Sequence, residues 1–273
     1  MTRWRSMLFV PANRPDLAAK APRSAPDLIV LDLEDAVPPQ EKDAARLGLG
    51  DAVAAASGSG TPVAVRVNPV GSSWFDDDLG ALPPEVVAVV VPKLDTADAA
   101  AAAGAARAPV VAGIETVRGV ATAPQWLSGG LAGCYFGAED YVADLGGVRT
   151  PGNEEVATAR ALVGMAARLA GIPALDMVTL DFGDDDRYLR EAAEARALGY
   201  AGKLCIHPAQ VALAHRAFTP TREELDRARR LLAAYDGAVA AGRATLAFEG
   251  EMVDEVVAKR ARAVLELAPP DQV

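Results

Sequence analysis

The sequence predicts an α/β fold, a (β/α)8 TIM barrel followed by a C-terminal helical extension, and three observations lead there. Eight short apolar or β-branched runs recur along the chain, at 7–10, 28–33, 63–67, 86–91, 110–114, 134–136, 177–180 and 204–206. Between them lie Ala-, Leu-, Glu- and Arg-rich stretches long enough for helices, including 40–56, 96–106, 153–170 and 185–198. The apolar runs are continuous and do not alternate with polar residues, which suits strands covered on both faces, and crossover helices make neighbouring strands parallel. Eight such units in roughly 220 residues match the usual size of a closed barrel. An open doubly wound sheet is the competing arrangement. Against it, Phe9-Val10-Pro11-Ala12-Asn13-Arg14-Pro15 stands at the end of the first strand in place of a glycine-rich dinucleotide or phosphate loop.

The barrel is assigned to residues 1–220 and the extension to 221–273. Thr221-Arg222-Glu223-Glu224 reads as a capping box, because Thr221 can accept from the third helical N–H while Glu224 reaches back to the cap. It opens a charged helix to about residue 241, and a final helix runs to about residue 267. These last residues exceed what a barrel needs and are expected to form a lid or an oligomer contact.

Composition narrows the function classes. The 273 residues carry 37 acidic and 27 basic side chains, a formal balance of −10, which argues against a nucleic-acid surface. Apolar residues at 51% with charged residues at 23% describe a chain able to bury a large core. The longest uncharged stretch, 119–138, contains Pro124, Gln125, Ser128 and several glycines, so no membrane span is expected. The apolar run at 7–10 is too short for a secretory leader, and a cytoplasmic location is expected. Cys134 and Cys205 lie inside apolar runs and are expected to be small core residues.

Barrel chemistry sits at the carboxyl ends of the strands, where the loops converge. The polar residues at the ends of the apolar runs are Asp32, Glu34 and Asp35, then Arg66 and Asn68, Lys93, Glu115, Glu139 and Asp140, Asp181, and His207. Several carboxylates around one mouth repel each other unless a cation shares them. Carboxylate oxygens without a His or Cys cluster suit a hard ion, Mg²⁺, and Glu115 with Asp140 is the pair chosen, each beside glycines (Gly113, Gly119, Gly137) that would let a ligand approach the backbone. A strand-end ion pair or a helix N-cap is the other reading of each acid, and Asp35 could cap the next helix. Mg²⁺ with open positions can chelate a 2-oxo or 2-hydroxy acid. Arg66 offers a planar fork for a carboxylate or oxyanion; alternatively it pairs with Asp32 or Glu34. His207 could be a base, or could hold its loop through its ring nitrogens. His215 is read as packing or surface. Asn13-Arg14-Pro15 looks like a helix start, and with Lys20 nearby it could form a phosphate-binding corner or simply a charged surface.

Taken together, residues 8–15 (LFVPANRP), 31–37 (LDLEDAV), 65–69 (VRVNP), 91–93 (VPK), 114–116 (IET), 136–140 (FGAED), 202–210 (GKLCIHPAQ) and 248–254 (FEGEMVD) resemble the citrate lyase β-subunit-like family of the HpcH/HpaI aldolase group. The resemblance implies a Mg²⁺-dependent lyase that cleaves or forms 3-hydroxyacyl-CoA thioesters such as malyl-CoA or citramalyl-CoA, with acetyl-CoA and a 2-oxo acid as the other side of the reaction. It implies Glu115 and Asp140 as metal ligands and Arg66 as partner of the substrate carboxylate and oxyanion. Phe9, Arg14 and Lys20 match positions that contact CoA in relatives, and the backbone around Glu139-Asp140 and Ile206-His207 lies near the same substrate. Asp254 matches an acid supplied from a neighbouring subunit of a homotrimer or homohexamer. A malyl-CoA thioesterase, a citrate lyase subunit acting on an acyl-carrier thioester, and a non-catalytic CoA-binding barrel are the alternatives.

Overall fold

The computed structural model describes residues 4–58, 60–104, 106–128 and 130–268. The chain divides into two compact units, Met1–Arg216 and Ala217–Val273, each described by itself. In the first, the order is β1 (Ser6–Pro11), α1 (Pro15–Ala18), β2 (Leu28–Asp32), α2 (Lys42–Leu47), α3 (Leu49–Ala56), β3 (Val63–Arg66), α4 (Phe75–Gly80), β4 (Ala88–Val91), α5 (Ala97–Ala103), β5 (Val110–Ile114), α6 (Val117–Trp126), β6 (Gly133–Phe136), α7 (Ala138–Leu145), α8 (Glu154–Ala170), β7 (Ala174–Asp176), α9 (Asp185–Ala197) and β8 (Gly202–Cys205), then α10 (Pro208–Phe218). The eight strands pair in chain order, all parallel, and β8 closes onto β1 with Met7 opposite Leu204 and Leu8 opposite Cys205. The closed barrel is therefore the one expected from the sequence.

Side chains alternate across the pleat, so every second residue points inward. Met7, Leu28, Val30, Ala64, Ala88, Val90, Val111, Tyr135, Leu175 and Leu204 fill the interior as one buried cluster together with Trp4. The residues between them, such as Ile29, Val65, Val89 and Ala112, are buried as well, which is why the strands read as unbroken apolar runs.

Closure of the barrel depends on Gly202. A Cβ there would stand 2.2 Å from the Trp4 carbonyl oxygen and 2.6 Å from that of Arg5, both backbone atoms, and the Arg5 carbonyl already accepts from the Lys203 amide. Gly202→Ala is expected to lose about 1–3 kcal/mol of stability through overpacking, read as a lower urea midpoint; an unchanged midpoint would contradict this packing.

Two expectations about the elements need correction. The seventh strand is Ala174–Asp176, and the run at 177–180 lies beyond it. Pairing of Cys134 with Ala174 and of Leu175 with Gly202 sets that register, whereas a short apolar run cannot tell a strand from the buried segment beside it. The helix expected over 40–56 is two helices separated at Gly48. Of the stretch 96–106, α5 covers Ala97–Ala103, and Ala105 lies outside the described residues. Cys134 and Cys205 are free and buried, with burial pushing both thiols up to about 12. His215 hydrogen-bonds the buried Ser6 hydroxyl at 2.9 Å.

The second unit contains α11 (Arg222–Ala240), β9 (Leu246–Phe248), β10 (Glu251–Val253) and α12 (Glu255–Glu266). Both arms of the Thr221/Glu224 capping box are present. The antiparallel hairpin of β9 and β10, for which the sequence offered no assignment, turns through Glu249 (φ 49°) and Gly250 (φ 87°), the positive angles of a two-residue turn that matches strand twist. Arg227 and Arg230 each approach Glu249 at 2.9 Å and hold that strained residue. Leu231, Tyr235, Val253, Ala258 and Ala261 belong to this unit's own buried cluster. Among the described residues no helix is long and apolar enough to cross a membrane.

Candidate active site

The inward rows of the barrel continue past the apolar interior to its carboxyl end. Leu28 and Val30 lead by the two-residue period to Asp32, Ala64 leads to Arg66, and Val111 leads through Gly113 to Glu115. The pleat thus delivers one acid, one guanidinium and a second acid to the same opening. There a cavity of about 400 Å³ is lined by Phe9, Asp32, Arg66, Glu115, Tyr135 and Asp140 among others.

Arg66 is fixed by acids on two sides. Its Nε and Nη2 donate to the two oxygens of Asp32 at 2.7 and 2.6 Å, its Nη1 stands 3.0 Å from Glu34, and its guanidinium lies 5.0 Å from the centre of the Phe9 ring. The ion pair considered from sequence is therefore present, and it locks the fork in one plane. Asp32 also accepts from the amides of Glu34 and Ala36, so one carboxylate shapes both the arginine and the turn after β2. Glu34 is buried, and burial pushes its carboxyl up to about 7 in spite of Arg66. Lys93 has φ 53°, a left-handed conformation that costs about 1–2 kcal/mol for a residue with a Cβ. Its ammonium stands 2.5 Å from Glu34, 3.7 Å from Asp35 and 3.4 Å from Asp140.

Glu115 is in a different condition. It is 2% exposed and makes no ion pair within 4 Å among the described residues. The Tyr135 hydroxyl donates to its Oε1, and its buried Oε2 has no hydrogen-bond partner. Desolvation raises its carboxyl above the usual range, with the nearby charge of Asp140 adding to the rise. Glycines make this arrangement possible. A Cβ on Gly113 would stand 2.6 Å from the Tyr135 hydroxyl, and one on Gly137 would stand 2.5 Å from Glu115 Cγ and 2.9 Å from Oε1. Those two glycines, expected from sequence to leave room for a ligand, make room for protein side chains. Gly119 likewise faces the Leu94 carbonyl oxygen, 2.9 Å from a Cβ position. Gly137→Ala is expected to displace the Glu115 carboxylate and lower activity about 10²-fold or more, while kinetics indistinguishable from wild type would show that the carboxylate needs no such space.

Asp140 and Glu139 lie on the first turn of α7, beyond the end of β6, and both line the cavity, as do Phe9 and Ile206. Arg14 and Lys20 are exposed outside its lining, Arg14 paired with Asp16 at 2.8 Å, and Arg14 is the cap of a four-residue helix without a side-chain cap bond. His207 stacks on Phe182 with ring centres 4.7 Å apart, and its Nδ1 accepts from the Ala209 amide, the loop-holding alternative. Asn68 is buried and bonded to Asp78 and the Leu33 carbonyl. Asp181 is exposed and, with β7 ending at Asp176, does not end a strand. Asp176 takes that place, buried between Arg160 and Lys203 at 3.0 Å from each. Asp35 lines the cavity and makes no helix cap. Asp254, in the second unit, caps α12 by accepting from the Val257 amide at 3.0 Å. Tyr135 is a site residue that sequence reasoning missed: only its place on an inward row, two residues before a glycine, signals it.

Residues 5–208 match the model of the family described as HpcH/HpaI aldolase/citrate lyase. The chain belongs to that family. It is 49% identical over 278 residues to the citrate lyase subunit beta-like protein of Deinococcus radiodurans, covering 96% of each chain. It is 30% identical to the mitochondrial citramalyl-CoA lyase of Mus musculus, over 97% of this chain and 86% of that one. The crystal structure of the family member CitE from Mycobacterium tuberculosis, in complex with magnesium, acetoacetate and coenzyme A, superposes with a TM-score of 0.84 at 35% identity, over 97% of this chain and 98% of that one. In this member of the family, no three His, Cys, Asp or Glu side chains among the described residues cluster as a metal cage. Two carboxylates with water and substrate filling the other positions is the usual manner of holding Mg²⁺, and the donor chemistry of Glu115 with Asp140 fits that manner.

Proposed function

We propose that this chain is a Mg²⁺-dependent carbon–carbon lyase that cleaves, or forms, a 3-hydroxyacyl-CoA thioester such as malyl-CoA or citramalyl-CoA, with acetyl-CoA and a 2-oxo acid as the other side of the reaction. The observation that carries this reading is Glu115: a buried carboxylate with one unbonded oxygen, in a cavity shared with Asp140 and Arg66. A buried charge left so is unfavourable unless a cation completes it. A relative bound to magnesium, acetoacetate and coenzyme A supports the same choice.

Glu115 and Asp140 hold the ion, which when bound supplies Lewis-acid charge and a template for two adjacent substrate oxygens. Arg66, held in one orientation by Asp32, donates to the substrate carboxylate and to the hydroxyl oxygen that gains charge as its proton passes to a base, before the carbon–carbon bond breaks and leaves the acetyl-CoA enolate. Phe9 and Ile206 furnish apolar wall, Arg14 and Lys20 offer exposed cations to the phosphates of CoA, and the backbone around Glu139-Asp140 and Ile206-His207 borders the substrate, Glu139, Asp140 and Ile206 lining the cavity with His207 next to them outside its lining. Asp254, contributed by a neighbouring subunit of a homotrimer or homohexamer, moves the proton at the acetyl carbon: onto it in cleavage, off the methyl group in condensation.

The test is product analysis of the purified chain with malyl- and citramalyl-CoA, with and without Mg²⁺. Acetyl-CoA plus a free 2-oxo acid, formed only with the ion, is expected. Free thiol with intact hydroxy acid would instead make it a thioesterase, and activity confined to acyl-carrier thioesters would make it a citrate lyase subunit.

A further inference from the structure

Apart from Glu115, the acids around the cavity are divided among three cations. Arg66 takes Asp32, Lys93 takes Glu34 and approaches Asp35 and Asp140, and Arg149 takes Glu139. Arg149 lies on the connection between α7 and α8, and no sequence motif singled it out. Its Nε donates to Glu139 Oε1 at 2.9 Å, its Nη1 to Glu155, and its Nη2 to Asn153 Oδ1 at 3.1 Å. The far side of this clamp is anchored in a buried network. Asn153, itself at φ 59°, donates to Glu191 at 3.2 Å, and Glu191 accepts from Thr179 at 2.5 Å and stands 3.3 Å from the wholly buried Lys203 of β8. Lys203 in turn donates to the Met177 carbonyl at 2.7 Å.

We infer that Arg149 is a positioning residue for the anionic substrate: it neutralises Glu139 and ties it to the network beside β7 and β8, so that the second residue of α7 does not repel the carboxylate of the oxo acid. This rests on the cavity being the oxo-acid site. The physical need comes from charge. Glu139 is the fifth acid lining the cavity, beside Asp32, Asp35, Glu115 and Asp140, and left without a partner it would oppose any incoming anion. A guanidinium suits the task because its fork can bond Glu139, Asn153 and Glu155 at once, which an ammonium on a flexible stem does less well.

The experiment measures pyruvate binding to the full chain in saturating Mg²⁺ by calorimetry, for wild type, Arg149→Met, Arg149→Lys, Glu139→Gln and the Glu139→Gln/Arg149→Met double variant, with melting temperatures for all. Arg149→Met is expected to bind pyruvate about tenfold more weakly, Arg149→Lys to fall between, and the double variant to return to within about twofold of Glu139→Gln alone, since the acid that needed a partner is gone. In condensation assays the KM for the oxo acid should rise while kcat stays within about twofold. Losses that multiply in the double variant, or a lowered melting temperature and kcat with unchanged KM and pyruvate affinity, would make Arg149 a loop clamp only and overturn the inference. Absence of pyruvate binding by wild type overturns it too, whereas binding without thioester cleavage sinks the lyase reading alone.

Discussion

Glu115→Gln is expected to reduce turnover of the CoA thioester by about 10³-fold or more while leaving the protein as stable as before or slightly more so. The two effects have one cause. At 2% exposure with Oε2 unbonded, the Glu115 carboxylate is destabilising to the folded chain as an anion, and burial raises its carboxyl accordingly. A group whose folded value lies above its unfolded one is held less favourably once it ionises, so at neutral pH the neutral amide is the better-tolerated side chain. Gln keeps the volume and an oxygen for the Tyr135 hydroxyl. It removes the charge that would attract a divalent ion and hold substrate oxygens. Steady-state kinetics, Mg²⁺ titration and thermal melts on the same preparation check this. A variant that melts well below wild type, or retains full activity, would show Glu115 to be a structural acid.

Asp254→Asn is expected to be the cleaner loss of chemistry. In the second unit Asp254 accepts from the Val257 amide as the N-cap of α12, and Asn serves as well as Asp in that position. The fold of this unit should therefore survive within about half a kcal/mol. Asn cannot carry a proton to or from carbon, so the variant should lose exchange of the acetyl-CoA methyl protons with solvent and lose turnover by about 10²–10⁴-fold, with Mg²⁺ affinity unchanged. Unchanged methyl exchange would remove Asp254 from the reaction. Mixing the Asp254→Asn and Glu115→Gln chains adds a second readout: a shared site between subunits restores part of the activity, and a site confined to one chain restores none.

Much of the candidate site is legible in the sequence. Asp32, Glu34, Arg66, Lys93, Glu115, Glu139 and Asp140 all lie at or just past the ends of apolar runs, and in a parallel barrel that position alone places them at one end. Asp181 breaks the pattern because its run is not the strand. Pairing with β6 and β8 selects residues 174–176, and Asp176, buried with Arg160 and Lys203, is structural. The role of the glycines is not legible either, since it depends on what the adjoining strand presents: Tyr135 against Gly113, Glu115 against Gly137.

The repeated β/α order, the Thr221/Glu224 cap and the set of acids are determined by the sequence alone, because each rests on local patterns: runs of apolar residues, cap residues at fixed offsets, and charges that end a strand. Only the tertiary structure decided which acid each cation takes and which acid is left without one. Arg66 with Asp32, Lys93 with Glu34 and Arg149 with Glu139 are distributed over separate loops and strand ends, and the unbonded oxygen of Glu115 is a product of the strands that bury it. A direct ion pair needs its partners within about 4 Å, and sequence order does not carry that distance.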